Sequence, residues 1–251
     1  MPRPIRFFIP GNVWHVTHRC HNKEFLLDYA KYRSLWMKWL YEGTSRYDVP
    51  VLNFTVTSNH VHLLVLAPED MEAIPRLMQL VAGRVGQVYN KNRNRKGAFW
   101  EKRYNATAVQ NGEHLGRCFL YIDLNMVRAK KVKHPRQWEH GGYHEIVEPK
   151  QRYRTISRQE VTRLLDVGEN ELPKTYQGWI KEALRKGNLS RDEIWSSKLA
   201  VGDAGFVEQI KKNVGRWVSK VAVNEDSAQY GQQSDITGNS LGWYIFDEKT
   251  L

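Results

Sequence analysis

The sequence predicts an α+β fold: a ferredoxin-like antiparallel sheet with flanking helices, followed by an all-helical C-terminal appendage. Three observations carry this expectation. Stretches that alternate every second residue and stretches with apolar residues three and four apart follow one another as βαββαβ between Gly11 and Val109. One more helical stretch follows that unit. Past Pro149 the alternation stops and helix-capping patterns take over.

Each element has its own signal. Gly11 to Arg19 (GNVWHVTHR) alternates as a strand, with Trp14 and Val16 on one face and His15 and Thr17 on the other. Tyr32, Leu35, Trp36, Trp39 and Leu40 mark a helix over about Tyr29 to Tyr41. Val51 to Thr57 and His60 to Ala67 are strands joined tightly through Ser58-Asn59, a hairpin by its turn chemistry. A second helix, about Ile74 to Tyr89, carries Leu77, Leu80, Val81, Val85 and Val88 on one stripe, and a short strand at Asn105 to Val109 completes the unit. The pattern places two helices on one sheet face and leaves the other for a site.

The third helix, about Glu113 to Ala129, divides its labour. Leu115, Cys118, Phe119, Ile122 and Met126 form the apolar stripe; His114, Arg117, Tyr121, Asn125 and Arg128 recur on an adjoining polar face. The expected organisation is a domain over residues 1–149, a helical appendage over 150–221 and a mostly flexible tail over 222–251. In the appendage Ser157-Arg-Gln-Glu160 and Ser190-Arg-Asp-Glu193 read as capping boxes, and Tyr176 to Arg185 and Ala204 to Lys220 as helices. Asn224 to Ser240 is rich in Gln, Ser, Asn and Gly, and Trp243-Tyr-Ile-Phe246 is an apolar segment able to dock.

Composition narrows the function. With 251 residues, 41% of them hydrophobic, the chain can bury a substantial core, and no apolar run approaches the ~20 residues of a membrane span. The start, Met-Pro-Arg-Pro-Ile-Arg, resembles neither a signal peptide nor a transit segment, so the expected location is the cytoplasm. Cys20 and Cys118 cannot form a cysteine-ligated zinc site and are expected as reduced thiols. The net charge of +11 sits almost wholly in the first part: residues 1–150 carry 23 Lys and Arg against 13 Asp and Glu, residues 151–251 carry 15 against 14. That excess favours a polyanionic partner. Lys91 to Tyr104 interleaves Lys91, Arg93, Arg95, Lys96, Lys102 and Arg103 with Phe99, Trp100 and Tyr104; the basic residues are read as phosphate contacts, Phe99 and Trp100 as packing.

Within the basic region, His60 and His62 flank Val61 in a strand and therefore project from one face, a geometry suited to a divalent metal. Tyr121 and Asn125, four apart in a helix, would present a phenol and an oxygen ligand side by side. Metal ligands, a nucleophile and a basic surface together point to cutting of DNA. The alternative for Tyr121 is a hydroxyl reaching solvent beside ordinary helix arginines.

Four segments in this order, Trp14-His-Val-Thr-His-Arg19, Thr57-Ser-Asn-His-Val-His-Leu-Leu64, Gly97-Ala-Phe-Trp-Glu-Lys-Arg103 and Tyr121-Ile-Asp-Leu-Asn-Met-Val-Arg-Ala129, resemble the REP-associated tyrosine transposases, a group of the single-tyrosine HUH transposases. The resemblance spans roughly residues 5–145 and extends to Gly205-Phe-Val-Glu208. It implies a metal-dependent strand transferase acting on single-stranded, hairpin-forming DNA, with His60 and His62 as ligands of Mg2+ or Mn2+, Asn125 as third ligand and Tyr121 as nucleophile. Arg93, Arg95, Lys96, Lys102, Arg103, Arg117 and Arg128 would contact DNA, and monomer and homodimer both stay open. Two segments depart from the family pattern: Asn125-Met126 stands where Asn-Pro is common, and Gly141-Gly-Tyr-His144 where Trp-Ser-Ser-Tyr often follows.

The implied chemistry asks for these residue types. A metal offsets the charge by which a phosphodiester repels nucleophiles, and the tyrosine, forming a 5′-phosphotyrosine with release of a 3′-hydroxyl, conserves the bond energy for rejoining. A tyrosine with an ordinary pKa near 10 needs help in losing its proton, for which His114 or Arg117 are candidates. Two alternatives stand beside this reading: a catalytically silent nucleic-acid-binding protein, and a metal-dependent nuclease that uses water. In the nuclease, Tyr121 is structural; were another tyrosine to carry the adduct, Tyr104 would be next.

Overall fold

The computed structural model describes residues 6–149, 151–187 and 194–226, with backbone alone at Ser196 and over 217–226. Its first half is the expected βαββαβ unit: β1 (Val13–Arg19), α1 (Ala30–Tyr47), β2 (Val51–Val56), β3 (His60–Leu66), α2 (Ala73–Asn92) and β4 (Asn105–Val109). The strands order as β2-β3-β1-β4 and pair antiparallel, which is the ferredoxin-like arrangement. A fifth strand, β5 (Ala200–Val201), joins β4 in parallel, so the sheet is mixed and the appendage is not purely helical. Two residues are too few for a periodic signal.

Alternation sorts the sheet into two faces. Cross-strand register aligns Phe54, Leu63 and Val16, and the Trp36 ring of α1 meets Phe54 at 6.3 Å, so this face lies under α1 and α2. The two helices pack at Gly43, where a Cβ would lie 2.4 Å from Leu77. α1 runs past its expected end near Tyr41 to Tyr47, where Asp48 closes it in the left-handed region with its N–H on Thr44 O.

The opposite face was expected to be open, and it is largely covered. α3 (Glu113–Asp123) lies over β2 and β4, and α8 (Ile194–Ser197) over β1 and β4. Asn53 on β2 reaches Phe119 O on α3, and Thr107 on β4 donates to Lys198 O just after α8. Thus the appendage, α6 (Arg158–Leu165), α7 (Leu172–Lys186), α8, β5 and α9 (Ala204–Asp226), docks on the first domain and completes its second layer. Tyr176 on α7 donates a 2.6 Å hydrogen bond to the buried Asp123 carboxyl at the end of α3; burial raises that carboxyl to about 7.

The outer edge of β2 is sealed by chain rather than left to pair elsewhere. Val56 N–H donates to His140 O, Gly142 N–H to Phe54 O and Ser157 N–H to Val51 O. The Gly141-Gly142 pair is what permits this approach, since a Cβ on Gly142 would sit 2.2 Å from Asn53 Oδ1. It precedes α5 (Tyr143–Val147), whose Glu145 carboxylate accepts from the N–H groups of Thr155 and Ile156. Both cysteines are buried free thiols, Cys20 pushed up to about 12 by burial. No helix among the described residues is long and apolar enough to cross a membrane. α9 continues past the expected Lys220 to Asp226; the Ser190 capping box, most of the Asn224–Ser240 stretch and Trp243–Phe246 lie outside the described residues.

Candidate functional site

The β2–β3 turn closes with Thr57 N–H on His60 O, and its side chains orient the first histidine. His60 Nδ1 lies 2.8 Å from Asn59 Oδ1 and 2.9 Å from Thr57 Oγ1. Asn59 Nδ2 donates to Lys23 O at 2.9 Å, which turns its oxygen toward the ring. Nδ1 of His60 is therefore the protonated nitrogen, and Nε2 carries the lone pair.

His62, two residues on, is 3% exposed, and its ring stands edge-on to His60 at 4.8 Å. Its Nδ1 meets His15 Nε2 at 2.9 Å, and its Nε2 meets Asn125 Nδ2 at 2.9 Å. Burial holds His62 well below the usual histidine range, and the nearby Arg128 and Arg19 charges add to the effect. His15 falls to about 4 by burial, against a 2.7 Å bond to Trp195 O. Both rings are thus neutral, the form that ligates metals.

The sequence pattern joined Tyr121 and Asn125 on one continuous helix, but the chain breaks it. α3 ends at Asp123, Leu124 takes φ −78° and ψ 1°, and α4 (Asn125–Arg128) follows. The Tyr121 carbonyl, which an uninterrupted helix would bond to the amide of Asn125, accepts from the Arg128 guanidinium. The break occurs without a proline, Met126 following Asn125. It leaves Tyr121 and Asn125 on the same cavity wall.

Tyr121 is 8% exposed, so it does not project into solvent from a polar helix face. Its ring lies 5.6 Å from His62, 6.1 Å from His15 and 5.9 Å from Trp195, with the Arg128 guanidinium 4.2 Å over its face. His60, His62, Tyr121 and Asn125 open together onto one cavity of about 700 Å³, whose wall also includes Lys102, Arg103 and Arg128. Arg19 and Lys23, not singled out in the sequence, add two further cations, and Glu101 one carboxylate.

The other expected DNA contacts lie apart from this wall. Arg93 sits on the Tyr29 ring at 4.9 Å and donates to its hydroxyl, while Arg95 donates to Ala98 O at 2.9 Å and so shapes its own loop. Lys96 is exposed on that loop, and Arg117 is exposed on α3. His114 is not on the wall either, nor is Tyr104, whose ring packs against Phe8 and under Arg6. Phe99 is buried, and Trp100 stacks on His18 at 4.0 Å, so both aromatics pack as expected.

Besides Arg19 and Lys23, His15 and Trp195 were missed. His15 had a signal, since it shares a strand face with Thr17, which pairs opposite His62; using it requires the β1–β3 register. Trp195 had none, because it arrives from far along the chain. Among the described residues no group of three or more His, Cys, Asp and Glu gathers to hold a metal; the candidate donors are two imidazoles and one amide.

Comparison with known proteins finds the same region. A family model described as "Transposase IS200 like" matches residues 12–125, somewhat under half of the chain. No curated protein matches the chain in sequence. Two solved structures are similar to it: a REP-associated tyrosine transposase bound to a REP hairpin, with 18% identity, TM-score 0.49, and coverage of 59% of this chain and 86% of the other; and a protein from Deinococcus radiodurans R1 described as a transposase, with 12% identity, TM-score 0.34, and coverage of 52% and 98%.

Proposed function

We propose that this chain, whose residues 12–125 match the IS200-like transposase model, nicks and rejoins single-stranded, hairpin-bearing DNA through a 5′-phosphotyrosine on Tyr121. One observation carries the reading. A tyrosine, two histidines, an asparagine amide and a set of cations open onto a single cavity, although the tyrosine, histidines and asparagine come from β3, α3 and α4.

The donors suit a divalent ion. His60 turns a lone pair to Nε2, His62 is neutral, and Asn125, whose Nδ2 lies 2.9 Å from His62 Nε2, would offer its amide oxygen with the amide turned over. Two nitrogens among three donors favour Mn2+ over Mg2+, which prefers oxygen. An ion bound there would polarise a non-bridging phosphate oxygen at the scissile position.

The remaining work falls to the chain. Lys102, Arg103 and Arg128, with Arg93, Arg95, Lys96 and Arg117 farther out, would neutralise the DNA backbone and draw a strand into the cavity. Packing around the Tyr121 ring holds the hydroxyl's approach to one direction and limits competition from water. The Tyr121 oxygen then bonds to phosphorus as the bond to the 3′ oxygen breaks. The phenolic proton leaves to water, and the 3′ oxygen takes one up. A later 3′-hydroxyl reverses the exchange without an added energy source, because one phosphoester replaces another. We assign the appendage to positioning the tyrosine helix, supported by Trp195 against Tyr121 and Tyr176 on Asp123. A chain acting on DNA in this way would work in the cytoplasm.

The test is to incubate the protein with hairpin-bearing single-stranded DNA and Mn2+, denature it, and map any adduct by peptide mass spectrometry. A phosphodeoxynucleotide on Tyr121 is expected. Cleavage with no protein-linked product would mean that water is the nucleophile; binding with no cleavage would mean a silent binding module.

A further inference from the structure

We propose that His15 is a positioning residue: together with the Trp195 carbonyl it forces His62 to present the lone pair of Nε2, and so connects the C-terminal appendage to the metal-ligating histidine. The inference rests on reading His60 and His62 as metal ligands.

A backbone carbonyl only accepts hydrogen bonds, so His15 Nδ1, 2.7 Å from Trp195 O, must carry a hydrogen. His15 is fully buried between the sheet and α8, which keeps it neutral; its Nε2 can then only accept. The group 2.9 Å from that nitrogen is His62 Nδ1, which must therefore be the donor. One hydrogen remains for each neutral ring, so His62 Nε2 is left bare beside Asn125, on the cavity wall. The order runs from the carbonyl outward and does not depend on which way the Asn125 amide is turned.

The same logic explains why a second histidine is used. A carbonyl directly on His62 Nδ1 would set the same tautomer; here the group that meets His62 Nδ1 is His15, which passes on the effect of the Trp195 carbonyl through its own ring. His15 spans the gap, with its ring within 7° of parallel to His62. Hydrogen-bonded partners of this kind fix ring orientation and raise ligand basicity. Trp195 also lays its indole near the Tyr121 ring, so one residue of α8 constrains both the ligand and the nucleophile.

Long-range 1H–15N NMR of the metal-free protein reads the tautomers without any substitution. His15 and His62 should both be protonated at Nδ1; finding His62 protonated at Nε2 would overturn the proposal. Two variants add the functional readout. His15→Phe keeps a ring without hydrogen bonds, whereas His15→Gln can accept from His62 and donate to Trp195 O. Mn2+ affinity, followed by electron paramagnetic resonance of the free ion, should weaken roughly 10–100-fold in the first and recover most of that in the second. The DNA KM should stay unchanged while kcat falls. A folded His15→Phe protein with wild-type Mn2+ affinity would overturn the relay. A wild-type protein that binds no Mn2+, or His60→Ala and His62→Ala variants that bind it as wild type does, would instead overturn the metal reading on which the relay rests.

Discussion

Replacing Tyr121 by Phe separates chemistry from packing more cleanly than any other change in this chain. Five contacts of Tyr121 are made by its ring or its backbone: His62 at 5.6 Å, His15 at 6.1 Å, Trp195 at 5.9 Å, the Arg128 guanidinium at 4.2 Å and its hydrogen bond to the Tyr121 carbonyl. Aromatic pairs of this kind contribute about 0.5–1.5 kcal/mol each and a cation over a ring about 0.5–2 kcal/mol. Phe keeps them all, so the variant should lose no more than about 1 kcal/mol, the worth of a hydroxyl's hydrogen bond. Tyr121→Ala, by contrast, discards the set and leaves a cavity, at about 3–5 kcal/mol. Urea denaturation measures both, and a gel of denatured protein with end-labelled hairpin DNA measures the adduct. The Phe variant should match wild type in unfolding midpoint and DNA binding and form no adduct. Wild-type cleavage by Tyr121→Phe would refute the nucleophile; a loss of stability comparable to the Ala variant would refute the claim that the ring, and not the hydroxyl, carries the packing.

Three further outcomes are expected. His60→Ala and His62→Ala should abolish cleavage while leaving hairpin binding within a few fold, because the cations rather than the histidines supply affinity; cleavage by the double variant in chelator-treated buffer would remove the metal site from consideration. Lys102→Gln with Arg103→Gln should flatten the slope of log affinity against log salt by about 1.4, two contacts at ~0.7 each on a single strand, and an unchanged slope would place the DNA elsewhere. The third concerns His18, whose Nε2 bonds to Lys102 O at 2.9 Å and whose pKa falls to about 4, through burial first and the nearby Arg6 charge as well. The unfolded chain protonates this ring below about 6.5 and the folded chain does not, so stability is complete above 6.5 and is lost as pH falls toward 4, by about 3 kcal/mol from this group at ~1.36 kcal/mol per unit. Urea midpoints at pH 7 and 4.5 for wild type and His18→Gln should show a smaller acid loss in the variant; equal losses would show that His18 is not buried as described.

Much of this protein is written in short-range pattern. The alternation of β1 and β3, the apolar stripes of α1 and α2 and the Ser58-Asn59 turn are local, and each was legible because side-chain direction repeats with a period set by the backbone. The same periodicity put His60 and His62 on one face and gave α3 its apolar stripe and Tyr121. Charge counting located the basic half of the chain but not its working surface. Of the expected cations only Lys102, Arg103 and Arg128 reach the cavity, since a loop's path depends on contacts such as Arg95 with Ala98 O that no composition encodes. The helix carrying Tyr121 was read as unbroken because its apolar spacing continues through Met126, whereas the break at Leu124 accompanies a bond from the Arg128 guanidinium to a backbone carbonyl, which no spacing encodes. His15 and Trp195 lie 180 residues apart, joined by one hydrogen bond. Sequence by itself determined the strands, the helices and the faces on which the chemistry-bearing residues stand; only the tertiary structure decided which faces meet, because that choice is made by packing and hydrogen bonding between segments that share no local period.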